Sequence, residues 1–371
     1  MIYLDHAATT PMRPGVWEAM EPFAAEAFGN SSGSHGVSRR AKNALEEARE
    51  RASAVLGCHP QEIVFTGGGT EADNLAIKGL ALGGETRGGV VTTAIEHEAV
   101  LEAAAFAGRM GCAVDIVGVD AGGIVDPDAV AAAVNAGTAV VSVMAANNET
   151  GAVQPIRQIV DGVGRRAPVH TDAVQVFVSE PVTVDALGVD LLTLAAHKFG
   201  GPKGVGLLYV RNGLSLEPVI HGGGQEMGRR SGTHNVMGAV GMATAMELTV
   251  ADRAGFRARV DAARRRFVER LAGVSERSIP EPTSLVQHAH LRFPGVRNET
   301  LLVRLDRAGV AASAASACQS GATSVSHVLA AMGLAEERAR ETVRFSLGWT
   351  STEAEVDTAG EIVEATVRAL Q

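Results

Sequence analysis

Cysteine is scarce in this chain: among 371 residues it occurs only as Cys58, Cys112 and Cys318. An odd number of cysteines with no paired spacing argues against a disulfide scaffold and indicates a reducing compartment. It also disfavours a metal site made from cysteine and histidine, because no two of the three cysteines have the separation that metal ligands take.

Long apolar runs and an excess of positive charge are also missing. Apolar stretches such as residues 139–146 are far shorter than the roughly 20 residues that cross a bilayer. The first residues show no basic leader followed by an apolar core. A net charge of −9 argues against a protein built mainly to bind nucleic acid. We therefore expect a cytoplasmic protein that contacts neither membrane nor nucleic acid directly.

What the sequence does contain is a regular alternation of strand-like and helix-like segments. Hydrophobic residues make up 46% and charged residues 20%, as in an ordinary folded protein. Helical patterns such as residues 71–82 and 99–109 lie between apolar runs that predict strands at residues 63–65, 89–94, 114–119, 139–144, 169–171, 191–195 and 205–210. This alternation predicts an α/β fold with a mainly parallel sheet covered on both faces, and an active site at the carboxyl ends of its strands.

A second domain is predicted after a long helical stretch at residues 236–271. The arginines within residues 253–270 are expected to lie on a solvent-exposed surface of this helix; the alternative is that they form a docking face. Beyond it, apolar runs and helical patterns alternate again, at residues 289–293, 298–308, 342–347 and 352–370. We predict a large α/β domain over residues 13–250 and a smaller α+β domain formed by residues 1–12 and 251–371.

A glycine turn at residues 65–74, between a predicted strand and a predicted helix, has the features of a phosphate cradle. Gly69 allows close approach of the backbone, Thr70 offers a hydroxyl, and the helix start supplies free N–H groups. A plain glycine turn is the alternative. The spacings of a Walker loop and of a dinucleotide-binding turn are both absent.

Two later strand ends carry the other groups that pyridoxal phosphate (PLP) requires. Asp172 and Gln175 follow one strand, and Lys198 follows another, just before a glycine–proline loop. A lysine in apolar surroundings has a lowered pKa and can form a Schiff base, while an acid keeps the ring nitrogen protonated. An aspartate at a strand end is often only a helix cap. The order of cradle, acid and lysine over successive strand ends nevertheless predicts PLP as the cofactor.

The chain resembles the cysteine desulfurases, which are class-V aminotransferase-like PLP enzymes of fold type I. The resemblance spans nearly the whole chain and rests on residues 3–11 (YLDHAATTP), 96–97 (EH), 146–151 (ANNETG), 222–233 (GGGQEMGRRSGT), 316–318 (SAC), 326–329 (SHVL) and 344–348 (RFSLG). It implies a seven-stranded, mainly parallel sheet in the large domain. It also implies that the enzyme takes sulfur from L-cysteine, releases L-alanine and passes the sulfur to an acceptor protein.

The resemblance further implies roles for residues around the cofactor. Lys198 would form the Schiff base, Asp172 would pair with the ring nitrogen, and His97 would stack on the ring. Gln175 and Asn148 would bond the ring oxygen. The phosphate would be held by a separate group, namely Gly69, Thr70 and His197.

Other residues would serve the substrate and the assembly. Arg344, helped by Asn148, would clamp the substrate carboxylate through a bidentate fork. Thr233 resembles the residue that reaches the phosphate of the neighbouring subunit, which implies a homodimer with shared sites. His97 would also manage a proton near the catalytic thiol.

Cys318 is the nucleophile that the resemblance implies, and it would become the persulfide. Small residues crowd positions 311–321, which predicts a mobile loop. A buried structural cysteine is the alternative for a lone thiol. Cys58 and Cys112, in helical or apolar surroundings, are expected to be passive.

The sequence departs from the family pattern at several positions. Ala195 stands where a serine usually helps to hold the phosphate, and Thr193 points to the same sheet face two residues earlier. Other departures lie at residues 30–35 (NSSGSH), Gln319 and Trp349.

Three other functions remain open at this point. A selenocysteine lyase or a class-V aminotransferase would keep Lys198, Asp172 and Arg344, although an aminotransferase would have no use for Cys318. A non-catalytic sulfur-transfer scaffold would need none of them. The sulfur acceptor is open too, since iron–sulfur assembly, tRNA thiolation, DNA phosphorothioation and cofactor biosynthesis all start from the same persulfide.

Overall fold

The computed structural model describes residues 1–84, 87–279, 283–314 and 326–371. Its strands are β1 (Ile2–Tyr3), β2 (Ile63–Thr66), β3 (Gly89–Thr93), β4 (Val114–Val117), β5 (Thr138–Ser142), β6 (Val169–Asp172), β7 (Leu191–Ala195), β8 (Gly206–Val210), β9 (Glu276–Arg277), β10 (His288–Arg292), β11 (Val310–Ala311) and β12 (Thr342–Ser346). Its α-helices are α1 (Val16–Met20), α2 (Pro22–Ala25), α3 (Gly36–Leu56), α4 (Gly69–Ala81), α5 (Glu98–Arg109), α6 (Pro127–Ala133), α7 (Ile156–Val163), α8 (Val184–Leu187), α9 (Val236–Leu271), α10 (Asn298–Arg307), α11 (His327–Ala331), α12 (Glu336–Ala339) and α13 (Glu353–Arg368).

Seven strands form a central sheet in the order β2-β8-β7-β6-β5-β3-β4. Strand β8 is antiparallel to both of its neighbours, and the other neighbouring pairs are parallel. Strand β7 is buried along its whole length, because helices cover both faces of the sheet. Helices α4 and α5 pack on one face, while α3, α7 and the first half of α9 pack on the other. The predicted α/β fold with a seven-stranded, mainly parallel sheet is confirmed.

A second hydrophobic core surrounds a small sheet of order β12-β10-β9. Phe345 lies at its centre, with its ring centroid 5.0 Å from that of Phe267 and 6.3 Å from that of Phe293. Leu4 and the second half of α9 belong to the same core. The boundary predicted near residue 250 therefore falls inside one continuous helix that serves both cores, and the division into two domains stays a prediction.

The small sheet has one apolar and one polar face. Ala289 and Phe345 pack into the second core, whereas His288, His290 and Arg344 lie on the opposite face, where His290 pairs with Arg344 across the strands. These polar side chains are buried. The alternation of strand residues thus places an arginine and two imidazoles together on the face opposite the second core.

No helix within the described ranges is long and apolar enough to cross a membrane.

Candidate active site

The carboxyl ends of the parallel strands bring most of the predicted site residues to one edge of the central sheet. Asp172 is the last residue of β6, and Lys198 ends a 3₁₀ turn (Ala196–Lys198) that follows β7 directly. His97 precedes α5 after β3, and Asn148 follows β5. Ligand sites in open α/β sheets form at this edge because the connecting loops gather there.

The predicted phosphate cradle lines a cleft of about 800 Å³. Gly68 precedes α4 with φ +155°, and the cleft wall continues through Gly69, Thr70 and His197. A side chain on Gly206 would collide with the backbone of Gly68, so strand β8 approaches the turn as closely as glycine allows. The Nδ1 atom of His197 lies 3.1 Å from the Thr9 hydroxyl.

Thr193 does not replace the serine that is missing at position 195. Its hydroxyl lies 3.0 Å from Nε2 of His170, whose Nδ1 is 2.9 Å from the Ser142 hydroxyl. This group is completely buried. The Asp73 carboxylate of helix α4 approaches the same imidazole to 3.7 Å. Sequence reasoning missed this buried polar network: its members are visible as polar residues in mostly apolar strands, but the sequence does not show that folding brings these strands together.

Asp172 has the environment expected of a partner for a cation. Its side chain is buried and accepts one hydrogen bond, from the Val174 N–H at 2.9 Å. Burial raises the pKa of the Asp172 carboxyl, while attraction to His97 in its protonated form, the Val174 hydrogen bond and the charge of Lys198 lower it. A carboxylate in this position gains from a positively charged partner, and a protonated ring nitrogen is such a partner.

Lys198 is held by the N-terminal segment. Its Nζ donates to the carbonyl oxygens of Ala7 at 2.6 Å and Ala8 at 3.0 Å. The Gln175 amide also donates to the Ala7 oxygen, at 3.1 Å. The turn after β1 therefore fixes the lysine and the predicted ring-oxygen ligand together. The conspicuous YLDHAATTP segment marked this region, but only the folded chain shows which atoms it supplies.

His97 is a neutral imidazole with one nitrogen already engaged. Its Nδ1 accepts the Ala99 N–H at 3.1 Å, which caps helix α5 and assigns the ring hydrogen to Nε2. Burial lowers the pKa of His97; the Asp172 carboxylate raises it and Lys198 lowers it further. The remaining Nε2 is the atom available for proton exchange.

Arg344 is a buried guanidinium with two anchors. It donates to the Asn148 carbonyl oxygen at 2.8 Å and to the Asp5 carboxylate at 2.5 Å. Burial, and after it the charge of Arg344, lowers the pKa of His290 to about 3, so this imidazole stays neutral beside the guanidinium. The positive charge beside Asp5 is therefore that of Arg344 alone, since His290 adds none.

Comparisons with known proteins identify the family. The Aminotransferase class-V family model matches residues 2–358. Over 376 aligned residues the chain is 41% identical to a cysteine desulfurase IscS from Dictyoglomus turgidum, covering all of this chain and 95% of that protein. This chain belongs to the cysteine desulfurase family.

Solved structures agree with this assignment. A NifS-like protein superposes with a TM-score of 0.93 and 37% identity, covering 99% of each chain. A structure described as SspA in complex with cysteine superposes with a TM-score of 0.83 and 36% identity, covering 94% of this chain and 99% of that one. The desulfurase is thus a PLP enzyme. The glycine cradle, the buried Asp172 carboxylate and the strand-end Lys198 fit that cofactor.

The other predicted residues are Thr70, Thr233 and Cys318. Thr233 and Thr70 are exposed in the single chain, although Thr70 lines the cleft. Cys318 lies outside the described residues.

The other two cysteines of the desulfurase are thiols at neutral pH. Burial raises the pKa of Cys58 to about 12 and also raises that of Cys112. A protonated thiol is a poor nucleophile.

Two buried glutamates near the site were missed as well. Glu96 accepts hydrogen bonds from the Thr93 hydroxyl at 2.6 Å and the Met144 N–H at 3.0 Å, and burial raises its pKa to about 8. Glu149 accepts from the Ser326 hydroxyl at 2.6 Å. The Glu149–Ser326 bond joins the ANNETG and SHVL segments, and His327 Nε2 lies 2.9 Å from the Glu96 carbonyl oxygen, so the EH segment contacts SHVL as well.

Proposed function

We propose that this desulfurase takes sulfur from L-cysteine, releases L-alanine and carries the sulfur as a persulfide on Cys318. The observation that carries the proposal is the meeting of Lys198, Asp172 and the glycine cradle at one sheet edge in a chain of this family. The relative bound to cysteine supports the same substrate.

The residues that would hold PLP follow from their positions. The cradle of Gly69 and Thr70, with His197, would take the phosphate. Asp172 would pair with the ring nitrogen, and Gln175 and Asn148 would bond the ring oxygen. When bound, PLP supplies an electron sink that stabilises negative charge at the substrate Cα.

The chain itself would provide the proton transfers and the orientation. The Ala7 and Ala8 carbonyls keep the Nζ of Lys198 in place, so that its amine can move the Cα proton. The buried guanidinium of Arg344 would hold the substrate carboxylate. His97, through Nε2, would exchange a proton with sulfur.

Sulfur transfer would then take place at Cys318. Its thiolate would form a bond to the substrate sulfur as the bond between that sulfur and the substrate Cβ breaks. The electron pair of the broken bond would stay with Cβ, which takes up a proton to become the methyl group of L-alanine. L-alanine would leave, and an acceptor protein would collect the sulfur for iron–sulfur assembly or for thiolation of tRNA, DNA or a cofactor.

We further propose a cytoplasmic homodimer in which Thr233 of each subunit reaches the phosphate of the other.

The test compares two lysines that lie near the cleft. After reaction with borohydride, the visible absorption band should vanish and a reduced adduct should appear on the peptide that carries Lys198. Lys198→Ala should lose both the band and the formation of alanine from L-cysteine. Lys203→Ala, the matched control from the cleft wall, should keep both. An adduct on Lys203 would refute the assignment.

A further inference from the structure

A loop at residues 220–235, here called the anchored loop, combines an exposed path with a buried acid. Residues 220–224, 227–228 and 232–233 are exposed, and Met227 is 51% exposed. Glu226, in the middle, has a side chain only 1% exposed. When a residue of an exposed loop places an ionised group in the protein interior, that group needs charged or hydrogen-bonding partners to offset the free-energy cost of its desolvation.

The partners of Glu226 come from three elements. Arg49 of helix α3 donates to both carboxylate oxygens, at 2.8 and 2.9 Å, and the Phe65 N–H donates at 3.0 Å. His234 approaches to 3.2 Å through Nε2, and its Nδ1 lies 2.8 Å from the Ser31 hydroxyl. Burial alone would raise the pKa of Glu226, but the hydrogen bonds from His234 and Arg49 lower it to about 2. Glu226 is therefore a fixed anion at any physiological pH.

This anchor also holds a strained backbone. Glu226 and Met227 have φ values of +50° and +57°, and they are the only non-glycine residues with positive φ in the part of the chain that the structure describes. Such conformations cost energy and persist only where surrounding contacts impose them. Two residues with strained backbone angles at a buried ion pair indicate that the surrounding contacts hold the loop in one defined conformation.

A second anchor joins the same loop to the phosphate cradle. Arg230 donates to the Glu71 carboxylate at 2.7 and 3.2 Å. Glu71 in turn accepts the Gly67 N–H at 2.7 Å, and both residues line the cleft. The loop is thus fixed at residues 226, 230 and 234, with the exposed Thr233 between the last two.

We propose that Glu226 and His234 are positioning residues that preset Thr233 for the phosphate of a neighbouring subunit before the two subunits meet. The inference rests on the proposed homodimer with shared sites. Pre-organisation reduces the ordering cost at assembly, since the loop need not be fixed when the second subunit binds.

The test is a double-mutant cycle in cofactor affinity. Thr233→Ala should weaken PLP binding to the dimer, since it removes a hydrogen bond to a charged group, and Glu226→Gln should weaken it roughly fivefold. In the Thr233→Ala background, Glu226→Gln should change the affinity less than about twofold, because the loop position no longer matters. Hydrogen exchange of amides 227–233 should become faster in Glu226→Gln without any cofactor.

Two further variants serve as a replacement for Glu226→Gln and as a control. If Glu226→Gln does not fold because Arg49 loses its partner, His234→Ala replaces it in the cycle and leaves the Arg49–Glu226 pair intact. Arg229→Gln is the control, since Arg229 belongs to the same loop but donates to the Gln61 carbonyl at 3.0 Å. It should leave PLP affinity unchanged.

The outcomes separate the two proposals. Equal effects of Glu226→Gln with and without Thr233 would overturn the positioning role while leaving the shared site intact. Normal PLP affinity of Thr233→Ala, or a monomer with full affinity in sedimentation, would overturn the shared site and this inference with it.

Discussion

At the scale of single residues, burial is the strongest influence on the ionisable groups of the site. It raises the pKa of Asp172 and lowers that of His97, and each of these groups partly offsets the shift of the other. Asp172 is therefore poised to accept a cation, while His97 remains a neutral imidazole. The division of roles between acid and base follows from the surroundings of each group rather than from its residue type.

The alanine at position 195 leads to a prediction at the same scale. A side chain at Gly69 would contact the Ala195 methyl, so position 195 faces the cradle. Because the Thr193 hydroxyl is engaged by His170, we expect Ala195→Ser to add a bond to the phosphate and tighten PLP binding roughly tenfold. Absorbance titration with PLP measures this.

The control for that experiment is the next residue along the chain. Ala196 is fully buried and belongs to the hydrophobic core on the other side. Ala196→Ser adds the same hydroxyl without reaching the cradle, so PLP affinity should not increase. An equal gain in both variants would contradict the role given to position 195.

At the scale of elements, the sequence predicts strands and helices well, since wholly apolar strands between helices leave few alternatives. The run at residues 191–195 matches β7 at both ends, and helix α9 matches the predicted 236–271. Contacts between distant segments could not be predicted in this way. Nothing in the sequence distinguishes the carbonyls of Ala7 and Ala8 from other backbone carbonyls. Their role depends on how the turn after β1 folds over β7.

The close approach of β8 to the cradle gives a prediction for an element. A methyl group on Gly206 would meet the backbone of Gly68, which cannot move without opening the turn. We expect Gly206→Ala to destabilise the fold by about 1–3 kcal/mol and to weaken PLP binding. Chemical denaturation and PLP titration are the measurements.

Gly118 is the matched control, because a methyl group there meets nothing within 4 Å. Gly118→Ala should change the free energy of unfolding by less than about 0.5 kcal/mol. If both variants are equally stable and bind PLP equally well, the contact between β8 and the cradle turn contributes neither to the stability of the fold nor to PLP affinity.

At the scale of the whole molecule, buried histidines lie in a strand of the central sheet, in a strand of the small sheet and in the N-terminal segment. Burial lowers the pKa of His170, His288 and His290 to about 3, and that of His6 to about 4. Each imidazole is neutral in the folded chain. The same groups take up protons near pH 6.5 once the chain unfolds.

These shifts predict that the buried histidines stabilise the fold less in mild acid. Between pH 6.5 and about 4 these imidazoles bind more protons in the unfolded chain than in the folded chain, so their contribution to the free energy of unfolding falls as the pH falls. The buried Glu96, whose pKa is raised to about 8, contributes in the opposite direction. At pH 5 each fully buried imidazole contributes a loss of up to about 2 kcal/mol. Urea unfolding of the wild type and of histidine variants at pH 7.5 and pH 5.5 measures this histidine contribution.

Two variants test whether a buried histidine contributes to the pH dependence of stability. His290→Gln should make the loss between pH 7.5 and 5.5 smaller, because one buried imidazole is removed. His221→Gln, at an exposed position, should leave the loss unchanged. If His290→Gln keeps the full pH dependence, the buried imidazole at position 290 is not one of its sources.

The most direct test of the central claim is the fate of the sulfur atom when L-cysteine is supplied to wild-type protein and to Cys318→Ser. A serine oxygen is a far poorer sulfur acceptor than a thiolate, so the variant should bind L-cysteine but release almost no L-alanine. Mass spectrometry should find one added sulfur on the Cys318 peptide of the wild type and none on the peptides of Cys58 and Cys112. Formation of L-alanine by Cys318→Ser at the wild-type rate would contradict the account.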